Sequence, residues 1–290
     1  MLNPLNHPVC LSYPQRLVSS AWAEHVPFAM FLVDRLRPKT VVELGTFSGV
    51  SYCAFCQAID ELGLASRCYA VDTWKGDPQT GCFGPEVLED LKQHHDSRYG
   101  GFSTLIQSTF DEAAGDFAAA TIDLLHMDGY HKYDLMKHDF ENWLPKMTDR
   151  GVVLIHDIHV RKRGFGAWKL WCQLKRRYPH FELLHESGLG VLEVGQNCDN
   201  SLQELFELRE SDRAVIRQFF SQLGQRLSLR LEKDHAVASL AWQVDDKQKQ
   251  IESLTPQIAQ KSEAIDWLTA QVGEKDNTLA SLAGQVDDKQ

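Results

Sequence analysis

Apolar runs in the first two thirds of the chain repeatedly end in a side chain that can carry charge. Val41-Val42 leads to Glu43, Ala70-Val71 to Asp72, Leu124 through Met127 to Asp128, and Val152 through Ile155 to His156 and Asp157. Groups of this kind bind hydroxyls, hold divalent cations or move protons. Four acidic ends sharing one crevice would repel one another unless donors or a cation joined them. One reading is a nucleoside whose hydroxyls take Asp72, with a divalent metal near Asp128 and Asp157; the plainer one is a set of unrelated loop carboxylates. A second feature precedes Asp72. In Thr40–Ser51, β-formers run into Glu43, and Gly45 and Gly49 bracket a tight turn before a helix-compatible stretch. A strand, glycine loop and helix start of this kind turn backbone N–H groups toward a ligand. The pattern Gly-x-x-x-x-Gly-Lys-Ser/Thr is missing, which argues against a triphosphate cradle. Asp72 follows Gly49 by 72 − 49 = 23 residues, about where a βαβ nucleoside unit places the acid that holds ribose hydroxyls. Trp74 either stacks on an adenine or plugs the underside of the loop.

The elements that must position these groups alternate between strand and helix. Residues 1–18, with prolines at 4, 8 and 14, read as an irregular leader, and Ser19-Ser20 can cap a helix over Ala21–Leu36 that Pro38 stops. Strands are expected at 40–44, 67–72, 104–106, 121–128 and 151–155, with helices at 52–62, 85–95, 110–117, 133–145 and 167–177. Residues 75–85, rich in Gly and Pro, read as a loop able to close over a site. Residues 181–184 and 191–194, joined through Gly188 and Gly190, read as a closing hairpin. Such alternation implies a parallel sheet covered by helices on both faces, and its strand ends form the crevice where ligands bind.

Composition narrows the partners. Of 290 residues, 43% are hydrophobic and 24% charged, with a net charge of −10, which argues against nucleic acid as the main partner. The basic run Arg161-Lys162-Arg163, with Lys169 and Lys175-Arg176-Arg177, is either a solvated face or a patch for an anionic substrate. With no long apolar run and no secretory signal, the chain reads as cytoplasmic, with a peripheral place at the inner membrane as the variant. Seven scattered cysteines suit reduced core positions; Cys53 and Cys56 fall on one helix face, and no second Cys pair completes a metal site.

The order of motifs resembles the class I S-adenosylmethionine-dependent methyltransferases, and within them the metal-dependent sugar O-methyltransferase and cephalosporin-hydroxylase-like type. The resemblance covers about residues 20–195. It rests on Val-Glu-Leu-Gly-Thr-Phe-Ser-Gly at 42–49, Val-Asp-Thr-Trp at 71–74, Leu-His-Met-Asp-Gly-Tyr-His-Lys-Tyr at 125–133 and Gly-Val-Val-Leu-Ile-His-Asp at 151–157. It implies a Rossmann-like seven-stranded α/β sheet, mostly parallel, with a reversed last hairpin. By resemblance Glu43, Gly45, Ser48 and Gly49 hold the methionine part of the cofactor, Asp72 the ribose, and Thr73, Trp74 and Ser108 flank the adenine. Asp128, His156 and Asp157 match a divalent-metal set, for Mg²⁺ or Mn²⁺, although a histidine stands where relatives carry an acid. Imidazole suits a borderline transition metal better than Mg²⁺. His131, three residues after Asp128, matches a general base, the alternative being a helix cap or surface residue. His126 reads as structural. The implied reaction is in-line methyl transfer to a hydroxyl, with Arg161, Arg163 and Trp168 near a sugar or glycan acceptor. A non-sugar acceptor, and a non-catalytic cofactor-binding head on an oligomeric scaffold, are the competing readings.

From about residue 199 strand signals vanish, and 199–239 reads as a helical linker after a methyltransferase domain at 1–198. Leu240-Ala-Trp-Gln-Val-Asp-Asp-Lys-Gln then returns at Leu282, with intermediate copies at Leu254 and Leu268, giving a 14-residue unit of two heptads. Leu240, Val244, Ile251, Leu254, Ile258 and their successors form an a/d seam in which Lys247, Lys261, Lys275 and Lys289 take every second d position. Residues 240–290 are therefore expected to form a coiled coil joining copies of the chain, in a sequence that breaks off within a repeat. A catalytic head on such a rod resembles enzymes that act on the end of a bacterial surface polysaccharide.

Overall fold

The structure is a computed structural model that describes residues 3–77, 81–162, 164–197 and 200–287. Arg163 and Lys289, each given a part above, lie outside the described residues, as do Pro78 of the 75–85 loop and Cys198 among the seven cysteines. Seven strands form one sheet: β1 Thr40–Leu44, β2 Arg67–Asp72, β3 Ser103–Gln107, β4 Ile122–Met127, β5 Met147–His156, β6 His180–Leu183 and β7 Leu189–Glu193. Their order is β3-β2-β1-β4-β5-β7-β6. The first five are parallel, while β7 runs antiparallel to both β5 and β6. The mostly parallel sheet with a reversed last hairpin is the expected one.

Successive side chains on a strand point to opposite faces, and the central strands use both. Val41, Leu124, Val152 and Leu154 enter one core with helices α1 (Val26–Leu36) and α2 (Val50–Glu61). Val42, Leu125, Val153 and Ile155 enter a second core, on the other face, with Met136 and Phe140 of α5 (Tyr133–Trp143) and Leu170 and Trp171 of α6 (Ala167–Leu174). Two further helices pack in turn: α3 (Glu86–Tyr99) against α2, and α4 (Phe110–Ala114) against β2 and α5. At α4 a full capping box on Thr109 and Glu112 fixes the start.

Several boundaries depart from the sequence reading for local reasons. A short 3₁₀ turn, Ala23–His25, precedes α1, because a helix begun at Ala21 would put the ring of Pro27 against the carbonyl of Ala23. Arg37 closes α1 in the left-handed region, just before Pro38. The strand β5 begins at Met147 instead of 151, since Met147 pairs with Ile122 across a register shift. The leader is structured: Pro8–Leu11 is a 3₁₀ turn whose Val9 and Cys10 are buried. Within the loop at 75–85, Gly76–Asp77 pairs antiparallel with Gly81–Cys82.

Residues 200–231 pack within the first compact unit, Met1–Leu231. Leu202, Leu205 and Phe206 of α7 (Asn200–Phe206), and Ile216, Phe220 and Leu227 early in α8 (Glu210–Asp287), join the α1 core. Phe220 meets Phe28 edge-on at 5.1 Å. The second unit, Glu232–Gln290, is described as helix through Asp287. No helix among the described residues is long and apolar enough to cross a membrane.

Candidate functional site

The glycine loop joins β1 to α2, and its shape depends on left-handed backbone at Gly45 (φ 87°), Phe47 (φ 47°) and Gly49 (φ 79°). At Gly45 the requirement is doubled: a Cβ there would lie 2.4 Å from the carbonyl oxygen of Asp128. The loop is pinned from β2. Asp72 Oδ2 accepts from Thr46 N at 2.8 Å and Phe47 N at 2.9 Å, and Oδ1 accepts from Trp74 N at 2.8 Å. A carboxylate offers about four acceptor sites, so Oδ1 keeps room for a ligand hydroxyl. Trp74 is buried and donates its indole N–H to Phe47 O at 2.9 Å. It plugs the loop from beneath and does not line the cleft above it. No side chain caps α2, so the N-terminal N–H groups of this 12-residue helix lack a side-chain partner at the loop's end.

The other half of the site stands at the ends of β4 and β5. There Asp128, His131 and Asp157 offer ligand atoms all within 4.8 Å of one another. His131 Nε2 lies 2.7 Å from Asp157 Oδ2 and 3.8 Å from Asp128 Oδ1. The backbone holds the imidazole in place, since His131 O accepts from Gly166 N at 2.6 Å, and Phe165 packs on the ring at 5.1 Å. Asp157 adopts the left-handed region (φ 60°). His156, expected among the metal ligands, instead spends Nδ1 on Asp128 Oδ1 at 3.0 Å. Its ring is buried, and Nε2 has no hydrogen-bond partner among the described residues. Burial lowers its affinity for a proton, but the Asp128 and Asp157 carboxylates outweigh burial and raise its pKa. The group that converges is therefore Asp128, His131 and Asp157, with His156 behind Asp128.

Glu43, expected against the cofactor, is fully buried and does not line the cleft. It faces His126, whose Nδ1 lies 2.7 Å from Glu43 Oε2. On its other side His126 Nε2 accepts from Trp22 Nε1 at 3.1 Å. That network assigns the proton of a neutral ring to Nδ1. Burial holds Glu43 well above the usual carboxylate range, against the Ser51 and Thr46 hydroxyls, and pushes His126 down to about 3. Burial thus weighs against charge on both partners, and the pair fixes Trp22, which lines the cleft. The folded value for His126 lies below the unfolded one, so its contribution to stability is complete above about pH 6.5 and is lost as pH falls toward 3, by at most ~1.4 kcal/mol per pH unit. Urea unfolding at pH 7.5 and 5 should show a smaller acid loss in His126→Gln than in the unaltered chain; equal losses would place the proton elsewhere.

Loop and strand ends open on one cleft of about 780 Å³. It is lined by Gly45, Ser48, Asp72 and Thr73 on one side and by Asp128, His131, His156 and Asp157 on the other. Gly49 and Ser108 stand outside the lining; Ser108 instead donates its hydroxyl to Glu112 at 3.2 Å. Arg161 lies over the Trp168 ring at 4.5 Å, and neither lines the cleft. Aromatic walls that composition alone does not single out complete it: Trp22, Phe47, Phe83, Tyr130 and Phe165. The rings of Phe47 and Phe83 lie 4.5 Å apart. Asp111, His138 and Asp139 form a second group on the same cleft, with Asp111 and His138 exposed and His138 Nε2 2.7 Å from Asp111 Oδ1.

Residues 42–158 match the family profile described as a methyltransferase domain. Protein y4gI of Sinorhizobium fredii is 46% identical over 186 residues, which is 64% of this chain and 20% of that relative. The chain thus spans about a fifth of the length of this curated relative. Among solved structures, similarity is found to the O-methyltransferase TomG of Streptomyces achromogenes, involved in tomaymycin synthesis and solved with SAM (14% identity, 67% of this chain and 91% of that one, TM-score 0.46). The SAH-bound methyltransferase PaMTH1 of Podospora anserina is similar at 13% identity, over 61% of this chain and 89% of that one, with a TM-score of 0.46.

Proposed function

We propose that the chain, whose residues 42–158 match a methyltransferase-domain profile, transfers a methyl group from S-adenosylmethionine to a hydroxyl of a sugar, at the end of a bacterial surface polysaccharide. The observation that carries the transfer is the juxtaposition, in one cleft, of the Gly45 loop with Asp128, His131 and Asp157. Supporting a sugar are the Tyr130 and Phe165 rings that line the cleft beside these polar groups, since sugars combine apolar ring faces with many hydroxyls. A non-sugar hydroxyl acceptor is the alternative.

The cofactor supplies an electrophilic methyl carbon when bound. The loop at 45–49 offers it close backbone approach, Asp72 Oδ1 a ribose acceptor, and Thr73 a contact at the cleft wall. As the new O–C bond forms and the donor's S–C bond breaks, the acceptor's proton ends on His131 Nε2. In the free chain that nitrogen donates to Asp157, so the ring must first carry its proton on Nδ1; the entering hydroxyl then replaces the contact and gives its own proton to Nε2 while Asp157 orients it. Asp157 and Asp128 then stabilise the imidazolium. Two carboxylates at this spacing also suit a divalent ion such as Mn²⁺, which would stabilise negative charge on the acceptor oxygen. His131 cannot hold an ion and take a proton at Nε2 at once, so with an ion bound Asp128 and Asp157 are its holders.

Calorimetric titration with S-adenosylhomocysteine, with and without Mn²⁺ or Mg²⁺, and methyl transfer from labelled cofactor to a panel of glycans test this reading. Micromolar binding is expected, with label appearing on a sugar hydroxyl. If Mn²⁺ assists, chelation lowers the rate at least tenfold and Asp157→Asn removes the metal response. Absence of cofactor binding would overturn the assignment and favour a scaffold. We also infer that the 14-residue repeats of the second unit join copies of the chain: their seam residues, from Leu240 to Leu282, are between 51% and 68% exposed.

A further inference from the structure

Resting on that self-pairing, we propose that the repeats associate as an antiparallel two-stranded coiled coil. Within the second unit, Leu240, Leu254, Leu268 and Leu282 occupy d, alternating with Lys247, Lys261 and Lys275, while a is aliphatic throughout, from Val244 to Leu279. A closed parallel pair must be in register, because a staggered one leaves unpaired ends and propagates. In register, d meets d, and each of these three lysines faces its own copy across a desolvated layer. The flanking e and g positions between 241 and 283 are Gln, Ala, Ser and Thr apart from Asp276, so no carboxylate stands across from the Lys247 or Lys261 layer. Like charges in such layers are destabilising.

Reversing one strand changes every layer to a against d, and no lysine meets a lysine in any such register. In the register that overlaps the described repeats, Val244 faces Leu282 of the partner subunit. Lys247 then faces Leu279 of the partner subunit, and Leu254 faces Val272 of the partner subunit. Each lysine lays its methylene stem along an aliphatic side chain and lifts its ammonium to the rim. Lys247 emerges on the flank carrying Asp276 of the partner subunit, one turn before Leu279, giving opposite charges that the parallel pair lacks. The two residues least suited to a helix interior agree with this seam. Pro256 lies within the helix at an f position and Gly273 at b, both on the outer face, clear of every a/d layer.

Disulfide trapping in the full chain distinguishes the arrangements. Val244→Cys alone is expected to give no more dimer on a non-reducing gel than the unaltered chain. Combined in turn with Leu268→Cys, Lys275→Cys or Leu282→Cys, at least one double variant should be trapped nearly completely. Trapping by Val244→Cys alone, or a dimeric or trimeric sedimentation mass with no double variant trapped, would overturn the antiparallel arrangement while leaving self-association standing. A monomeric mass at tens of micromolar would overturn the pairing itself.

Discussion

Replacing His131 by Gln is expected to lower kcat for methyl transfer by about 10²–10⁴-fold, the usual span for loss of a positioned general base, while cofactor affinity stays within a few-fold. The expectation comes from where the imidazole sits. It is buried, held by its own carbonyl through Gly166 N, and aimed at Asp157 at 2.7 Å and Asp128 at 3.8 Å. Glutamine keeps a polar group of similar reach but cannot accept and retain a proton near neutral pH. The split between kcat and cofactor binding matters, because a merely structural histidine would loosen both. Single-turnover rates with saturating labelled cofactor, beside calorimetric titration of S-adenosylhomocysteine, read the two separately. A variant with unimpaired kcat would move the base to another group, Asp157 being the first to examine.

Gly45→Ala is expected to cost at least a hundredfold in S-adenosylhomocysteine affinity. A methyl group at this position meets the Asp128 carbonyl at 2.4 Å, and also Gly129 N at 2.7 Å. These are backbone atoms of the strand end that carries the acid, so relief requires moving the loop from β4 or twisting Asp128 away from His131. Left-handed backbone adds about 1–2 kcal/mol for any residue with a Cβ. The control is Gly63→Ala, equally left-handed at φ 60° but with nothing within 4 Å of the added carbon. It should lose thermal stability from backbone strain alone and bind the cofactor product normally. Gly49→Ala falls between them, because the group it meets is the Leu91 side chain, which can turn aside. If Gly45→Ala bound as tightly as the parent chain, the loop would not be the cofactor's seat.

Much of this architecture is legible in the chain because it is local. The limits of β1 follow from a β-branched run bounded by Pro38 and Gly45, β2 is marked by an apolar stretch closed by a terminal acid, and each of the seven strands is signalled in the sequence. What escaped is set by partners far apart in sequence. The indole of Trp22 reaches His126 across 104 residues, and nothing in either neighbourhood announces the contact. Glu43 looks like a ligand because it stands near the end of a strand, just before the loop; the opposite facing of neighbouring strand residues turns it inward to His126 instead. His156 and His131 are both histidines near acids, and spacing alone cannot say which converges. The turn after β4 brings His131 to Asp157, whereas His156, still on β5, spends Nδ1 on Asp128. In the segment after residue 199, polar composition masked Leu202, Leu205, Ile216 and Phe220, whose helical spacing buries them against α1.

The left-handed backbone at Asp157 narrows the site's chemistry to a short alphabet. At φ 60° a residue with a Cβ carries strain of order 1–3 kcal/mol, borne least badly by Asp and Asn, and only glycine escapes it. Glutamate, the obvious exchange for a carboxylate, would bring a longer arm and a poorer backbone together. Glycine would relax the chain and leave no carboxylate, making a sturdier protein with an empty corner. Laboratory evolution selecting only for heat resistance would therefore drift toward silence at this position, and a library meant to retune the acceptor should hold it fixed.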